Sequence, residues 1–290
     1  MSITNLIDEQ KEEYPVALLC NLFDLPRSTY YDRMNREKSN REKENDKLKD
    51  EIMDIYLASN KRYGYPKITY ALASKGIQKN KKRTYRLMKE LGIRSIICRK
   101  YKPNMSRSSE EFDGKNILQR DFSTTGRKEK WVSDITHIYT IENGWCYLAS
   151  IMDLHTRKIV GHSFGKNMKT ELTIRALENA CKSEGVKQDD HIILHSDRGT
   201  QYTSNAYRKL AKQKGFLLSY SRKGNPYDNA CIESFHSIIK REEVELKSYR
   251  NYKQGKLEIF EFIEKWYNRK RIHSSLDYKS PVEYEKMLVA

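Results

Sequence analysis

The sequence predicts an α/β protein, with a mixed five-stranded sheet and flanking helices, preceded by small all-α modules. Strand-like runs of apolar and β-branched residues occur between about residues 131 and 220, the first three in hairpin order. The fourth and fifth runs are each preceded by a helical pattern, so helices alternate with strands there. On either side of this region the apolar residues follow helical spacing, which indicates helical segments around a single sheet.

Composition indicates a polyanionic partner. The 290 residues include 55 Lys and Arg against 39 Asp and Glu, for a net charge of +16, and a charge of this size favours nucleic acid. The five cysteines are widely spread without paired spacing, which argues against a zinc site or a disulfide framework and fits a reducing cytoplasm. No apolar run approaches the roughly 18–20 residues of a membrane span, so we predict a cytoplasmic protein without a membrane partner.

Residues 1–37 are predicted to form an N-terminal helical module. Within it, residues 14–35 have the spacing of two short helices on either side of Pro26. A helix–turn–helix and a small packing hairpin explain this pattern equally well.

Residues 38–97 are predicted to contain a charged connector helix at 39–58 and a second helical pair. The first helix of the pair begins near Pro66 and ends at Gly76, and the second begins after Asn80. The second helix is basic, which fits a helix–turn–helix that contacts DNA, although a helical hairpin with a solvated basic face would look the same. The candidate DNA-contacting residues on it are Lys81, Lys82, Arg83 and Arg86.

A polar, basic linker is predicted at residues 98–129, where Ile117 and Leu118 could anchor it to the domain that follows. The sheet domain is predicted at residues 130–246. Its strands are expected at 131–141, 145–153, 159–164, 192–195 and 216–220, with helices at 169–183 and 204–214.

Three acidic residues occur at the ends or centres of these elements. Asp134 interrupts the first strand, Asp197 follows the fourth strand beside Gly199, and Glu233 lies on a helix that starts at Asn-Pro-Tyr-Asp, residues 225–228, in what we expect to be its second turn. Taken singly, they could be a strand-edge acid, a turn aspartate and a solvated helix glutamate. Together they suggest one site, because crowded carboxylates repel each other unless a cation is bound. Hard cations such as Mg²⁺ prefer these oxygen ligands.

Further residues could assist the acids. Lys240 lies seven residues after Glu233 and so shares its helix face, where it would either hold a phosphate or be a solvated charge. His236 is three residues after Glu233, close enough to support the acids or to face solvent. Asn229, together with Gly224 and Asn225, would shape the start of the helix, with Asp228 as a possible N-cap.

Two neighbours of the acids are weaker candidates. Asp153 ends the second strand and could approach a metal, but an aspartate at this position more often starts a turn. His137 is three residues after Asp134, on the opposite face of the strand, and is therefore a poor ligand candidate.

The residues SDRGTQYTS around Asp197 and DNACIESFHSIIK around Glu233 resemble the OrfB-type DDE transposases of the insertion-sequence-three family, and the resemblance extends from about Pro15 to Tyr284. It implies a ribonuclease-H-like integrase core that cleaves and transfers DNA strands. It also implies that Asp134, Asp197 and Glu233 are the catalytic ligands of two Mg²⁺ (or Mn²⁺) ions, about 3.5–4 Å apart. The DNA partner would be duplex DNA, both the element's terminal repeats and the target.

The resemblance also implies a homo-oligomer on DNA and an upstream-frame product that supplies a further helix–turn–helix and a coiled coil. No sustained heptad repeat occurs here, so we expect that this chain either lacks its dimerisation segment or starts independently. A C-terminal helical segment is predicted at 247–290, with a helix at about 253–269 and a last one starting at Pro281. In this segment Tyr267, Asn268 and Arg271 would either pin the tail onto the core or contact DNA, and pinning is favoured.

Two other function classes fit part of the pattern. A DNA-binding repressor, or a domesticated remnant without chemistry, would keep the basic modules, but the three acids argue against it. A nuclease of the same fold that acts on RNA–DNA hybrids would keep the acids. The helical modules favour recognition of duplex DNA ends instead.

Overall fold

The computed structural model describes residues 3–35, 37–97, 114–222 and 226–288. Its N-terminal module contains α1 (Ile3–Gln10), α2 (Val16–Leu22) and α3 (Arg27–Asn35), so the predicted helical pair around Pro26 is confirmed. Helix α1 was not predicted. The three helices share a small core of their own, formed by Ile7, Leu19, Cys20 and Tyr30.

The second helical module contains α4 (Asn40–Ala58), α5 (Tyr65–Ser74) and α6 (Lys81–Glu90), as predicted. Side chains that accept hydrogen bonds from the first turn fix two of the helix starts. Ser39 and Glu42 form a reciprocal capping box on α4, and Asn80 accepts a bond from the backbone of Lys82 on α6.

The sheet has the predicted five strands in the order β3-β2-β1-β4-β5. Strands β1, β2 and β3 are antiparallel, whereas β4 runs parallel to β1 and β5 parallel to β4. The strands are β1 (Lys130–Thr140), β2 (Gly144–Asp153), β3 (Ile159–Gly165), β4 (Ile193–Ser196) and β5 (Leu217–Tyr220). The predicted mixed sheet with flanking helices is confirmed.

Helices cover both faces of the sheet. One face packs with Trp131 and Ile151 against α7 (Thr170–Glu184), α8 (Thr200–Thr203) and α9 (Asn205–Gln213). Strand β3 and α7 approach closely at Gly161, where an added Cβ would lie 2.4 Å from a backbone oxygen of α7. The other face packs against α10 (Ala230–Glu242), and its core extends without a break to buried residues of α4 and α6.

The C-terminal segment is pinned to this assembly. Helix α11 (Tyr252–Glu261) continues as a π-helical segment, Phe262–Tyr267, before the last helix α12 (Pro281–Met287). The side-chain amide of Asn268 accepts a hydrogen bond from Ile159 N at 2.9 Å and donates one to Ile159 O at 3.0 Å. Tyr267 and Arg271 are also buried, so the preferred interpretation of these residues as a pin is confirmed.

Buried polar contacts join the second helical module to the C-terminal end of α10 and to the segment at residues 270–272. Arg62 donates to Glu242 O at 2.9 Å and to the Glu243 carboxylate at 3.0 Å. The hydroxyl of Tyr63 donates to Lys270 O and accepts from Ile272 N, both at 3.0 Å. The module is therefore held against the element that carries Glu233.

Residues 114–129, the described part of the stretch that precedes β1, pack on the core of the sheet domain. Backbone N–H groups of Ile117 and Leu118 donate to the hydroxyl of Ser219, and Leu118 is buried. The first half of the predicted linker, residues 98–113, lies outside the described residues. Across the described ranges, no helix is long and apolar enough to cross a membrane.

Candidate active site

The sheet register brings Asp134 and Asp197 to the same level. Val132 of β1 pairs with His195 of parallel β4, and each aspartate lies two residues further along its own chain. Gly199 N donates to Asp197 Oδ1 at 2.9 Å and so fixes this carboxylate in a turn. A Cβ at Gly199 would lie only 3.0 Å from the same oxygen, which explains the glycine.

Glu233 reaches the site from α10. A 3₁₀ turn at Pro226–Asn229 precedes the helix, so Glu233 lies in the first turn of α10 and not in the second, as predicted. The predicted N-cap was wrong as well: Asn229 occupies that position. The carboxylate of Asp228 is buried and instead binds Arg120 and Arg222, at 2.7 and 3.0 Å, which lowers its pKa. Gly224 and Asn225 lie outside the described residues.

The electrostatics show that the three acids interact. Although Asp197 and Glu233 keep exposed surface, the surrounding protein displaces water from their carboxylates and thereby raises their pKa values. The negative charge of Asp134 adds to the effect of burial and brings the pKa of Asp197 to about 6. Burial and the charges of Asp134 and Asp197 raise the pKa of Glu233 to about 7.

The three carboxylates come from separate elements of the fold. Within residues 3–35, 37–97, 114–222 and 226–288, no group of three or more His, Cys, Asp or Glu side chains could hold a metal ion as it stands. Asp134 and Asp197 share a level of the sheet, whereas Glu233 lies on the separate helix above it.

Helix α10 is tied to β1 next to Asp134. Nδ1 of His236 lies 3.3 Å from Asp134 Oδ2, and Asn229 Nδ2 donates to Ser133 O at 3.1 Å. His236 Nε2 and Asn229 Oδ1 are both buried, and neither has a hydrogen-bond partner among the described residues. The structure thus places both predicted supporting residues beside the acids, each with one unsatisfied polar atom.

Lys240 lies on the same side of α10 as the acids. It is half-buried, and burial lowers the pKa of its ammonium group. The negative charges of Asp134 and Glu245 partly oppose this by raising that pKa. Its ammonium group is therefore within electrostatic reach of the carboxylate of Asp134.

Two polar groups beneath the acids were not singled out from the sequence as support. Ser133 donates to the hydroxyl of Tyr202 at 3.0 Å, which holds α8 against β1. His195 is buried between the hydroxyls of Ser219 and Ser221, at 2.8 and 3.0 Å, and burial lowers its pKa to about 4. Neither group had a recognisable signal, because both partners come from distant parts of the chain.

Asp153 has a structural role. Its carboxylate accepts hydrogen bonds from the indole N–H of Trp131 at 3.0 Å and from the backbone of Lys128, His155 and Thr156. These bonds hold the β2–β3 turn, as the turn interpretation predicted. His137 is exposed and packs edge-to-face on Trp145, with ring centroids 5.0 Å apart.

The basic residues of α6 differ in their surroundings. Lys82 and Arg86 are exposed. Lys81 is exposed as well, with its ammonium 5.2 Å from the ring centroid of Tyr70. The guanidinium of Arg83 instead binds Glu44 at 2.8 Å and Asn45 at 2.7 Å on α4.

Comparison with known proteins agrees with this arrangement. An integrase core domain model matches residues 124–226 and a second one residues 214–281, while an HTH-like domain model matches residues 43–101. The chain is 38% identical over 254 residues to the transposase for insertion sequence element IS904 of Lactococcus lactis, covering 87% of this chain and 99% of that protein. The chain belongs to the transposases of the insertion-sequence-three family.

Other transposases of this family are similar over nearly the whole length. The transposase InsF for insertion sequence IS3A of Escherichia coli is 32% identical over 286 residues, which is 98% of both proteins. Among solved structures, the magnesium complex of the HTLV-2 integrase catalytic core domain matches 54% of this transposase and 95% of that chain. The identity is 15% and the TM-score 0.40.

Proposed function

We propose that this transposase cleaves and joins DNA strands at the ends of its insertion element by metal-assisted phosphoryl transfer, with Asp134, Asp197 and Glu233 as the ligands. The supporting observation is the mutual charge interaction of three carboxylates that come from β1, the end of β4 and α10. Raised pKa values of interacting acids are typical of catalytic sites.

The residues present fit a pair of divalent cations. Carboxylate oxygens are the donors that Mg²⁺ and Mn²⁺ prefer, and the unsatisfied atoms of His236 and Asn229 mark a place where polar partners are missing. When bound, two Mg²⁺ or Mn²⁺ ions supply activation of the attacking water or 3′-hydroxyl and stabilisation of the leaving oxygen. Positive charge would also offset the mutual repulsion of Glu233 and the two aspartates, which raises the pKa of Glu233.

Each protein group has a defined task. Asp134 is held by His236, Asp197 is held by Gly199 N, and Glu233 is carried to them by α10. At neutral pH the raised pKa of Glu233 leaves this carboxyl partly protonated, so binding of cations releases a proton. Lys240, close to Asp134, would hold a phosphate of the reacting strand.

The HTH-like domain would bind the duplex. Lys81, Lys82 and Arg86 on the exposed side of α6 are proposed to contact its phosphates. Arg83 was also a candidate from the sequence, but its donors are bound to α4, and we assign it instead to fixing α6 in place. We also propose a homo-oligomer on paired element ends, with the upstream-frame product as a possible further partner.

The deciding experiment measures cleavage and joining of labelled DNA that carries the element's ends, with Mg²⁺ or Mn²⁺. Asp134→Asn, Asp197→Asn and Glu233→Gln should each abolish both reactions and leave DNA binding intact. Glu171→Gln, an exposed acid at the start of α7, is the matched control and should stay active. Activity that survives any of the three substitutions would refute the assignment of that ligand.

A wild-type protein that binds the ends without cutting them would point to the missing upstream-frame product. Addition of that product should then restore cleavage in the wild type and not in the three variants.

A further inference from the structure

Ring side chains are exposed together on the β1–β2 hairpin. Tyr139 pairs with Trp145 and His137 with Tyr147 across the two strands, so their side chains share one face. The indole of Trp145 packs edge-to-face on two rings of β1. Its ring centroid lies 5.3 Å from that of Tyr139 and 5.0 Å from that of His137. Trp145 is 55% exposed and Tyr139 53%. We name His137, Tyr139 and Trp145 the hairpin surface.

The hairpin surface lies further along β1 than Asp134 and on the opposite face of the strand. Strand β4 pairs with β1 only as far as Val132, so the rest of β1 extends beyond it together with β2. His137 follows Asp134 by three residues, about 10 Å along the strand. Its pKa is lowered by burial and by Lys240 and His236, which places both side chains within electrostatic reach of His137.

The exposure of Trp145 sets it apart. Of the three tryptophans, all within the described ranges, Trp131 and Trp266 are buried in the two cores of the sheet. An indole left in water beside two further rings retains a large apolar area that a ligand can cover. Ile141, 62% exposed, extends the apolar area towards the hairpin turn.

The surroundings indicate which ligand fits. Any base can stack on an aromatic side chain, but its face is accessible only when the base is unpaired or lies at the end of a duplex. The hairpin surface lies only about 10 Å along β1 from Asp134, so a DNA strand that reaches the three acids can bring an unpaired base to it. Lys240 and the net charge of +16 favour a polyanion there.

A second copy of the chain fits less well. A stable interface needs about 800 Å² from each partner, far more than three half-exposed ring side chains provide. We infer that the hairpin surface stacks on an unpaired DNA base next to the phosphodiester that reacts at Asp134, Asp197 and Glu233. This inference rests on the proposed function.

The test uses the full chain without metal, so that binding is measured apart from cleavage. One probe is a duplex of the element's end with three unpaired terminal nucleotides, and the other is the same duplex with a blunt end. The wild type should bind the first probe at least about fivefold more tightly, the lower limit for one stacked base. Because Trp145 is the exposed tryptophan, this probe should also quench the intrinsic fluorescence.

Substitutions separate stacking from general apolar contact. Trp145→Leu should abolish both the preference and the quenching, whereas Trp145→Phe should keep most of the preference. Ile141→Ala is the matched control on the same hairpin and should behave as the wild type. Equal binding of both probes by the wild type, or a preference retained by Trp145→Leu, would overturn the inference. A smaller mass of Trp145→Leu in sedimentation would overturn it too, in favour of a contact between copies.

The two proposals fail separately. A cleavage-competent Asp134→Asn protein would refute the ligand assignment and leave the fluorescence result unchanged. Normal chemistry in the wild type with equal binding of the two probes would refute stacking alone.

Discussion

Nδ1 of His236 lies 3.3 Å from Oδ2 of Asp134, so a buried imidazole of α10 contacts the carboxylate in the middle of β1. The contact connects the helix that carries Glu233 with the strand that carries Asp134. A second connection, from Asn229 to Ser133 O, lies seven residues earlier on the chain, about two helical turns. Together they hold the first turns of α10 against β1 beside Asp134.

Removal of this imidazole should weaken metal binding before it affects DNA binding. Groups that orient metal ligands typically contribute 10- to 100-fold in metal affinity or activity. We therefore expect His236→Ala to raise the Mn²⁺ concentration for half-maximal cleavage by about 10-fold or more. His236→Asn, whose amide nitrogen can replace Nδ1, should recover part of the loss. An unchanged metal dependence in His236→Ala would show that the contact does not position Asp134.

The raised pKa values make the metal-free protein sensitive to pH. Asp197 and Glu233, with pKa values of about 6 and 7, hold protons in the folded state that the unfolded chain releases near pH 4. Their contribution to stability is therefore greatest below pH 4 and is lost as the pH rises towards 7. In a chelator, the melting temperature of Asp197→Asn should rise relative to the wild type between pH 5 and 8. A constant difference across this range would contradict the shifts.

The cations of α6 should separate into two classes. Lys82 and Arg86 are exposed. Replacement of either by Ala should reduce the slope of the logarithm of the DNA-binding constant against the logarithm of salt concentration by about 0.9 for each lost phosphate contact. Arg83→Ala should instead destabilise the module, because its bonds to Glu44 and Asn45 are lost. Binding titrations at several salt concentrations and urea unfolding distinguish the classes. A changed salt slope at full stability in Arg83→Ala would restore Arg83 as a DNA contact.

The joint between the helical module and the core should contribute measurably to stability. Tyr63→Phe leaves Lys270 O and Ile272 N without their partner, at a cost of about 1–3 kcal/mol. Tyr65→Phe, at an exposed ring of the same module, should change the free energy of unfolding by less than about 0.5 kcal/mol. Urea unfolding of both variants provides the comparison. Equal stabilities would mean that the joint opens in solution.

Features with a local pattern could be predicted from the sequence. The five strands and most helices follow from apolar periodicity, and Asp134 was noticeable because a carboxylate is unexpected within such a strand. Glu233 required more, since a glutamate in a helix has no distinctive surroundings. Its association with the aspartates was suggested by the placement of all three acids beside strand or helix signals, and the family resemblance strengthened it.

Features that depend on distant partners could not be predicted. Asp228 was interpreted as an N-cap because its neighbours favour a turn, yet its carboxylate binds Arg222 and also Arg120, which lies more than a hundred residues earlier. Helix α11 was predicted to run to residue 269, but buried Trp266 and Tyr267 lie in a π-helical segment whose spacing no local rule indicated. Such outcomes are decided by tertiary packing, which outweighs local preference.

The pin at Asn268 closes the outer edge of the sheet. Besides the two bonds of Asn268 to Ile159, Asn179 donates to His162 O and Tyr252 to Phe164 O, both at 3.0 Å. Side chains thus occupy backbone groups of β3 to which a foreign strand would otherwise anneal. This edge of the sheet is thereby protected from pairing with a strand of another copy, which would otherwise continue into fibres.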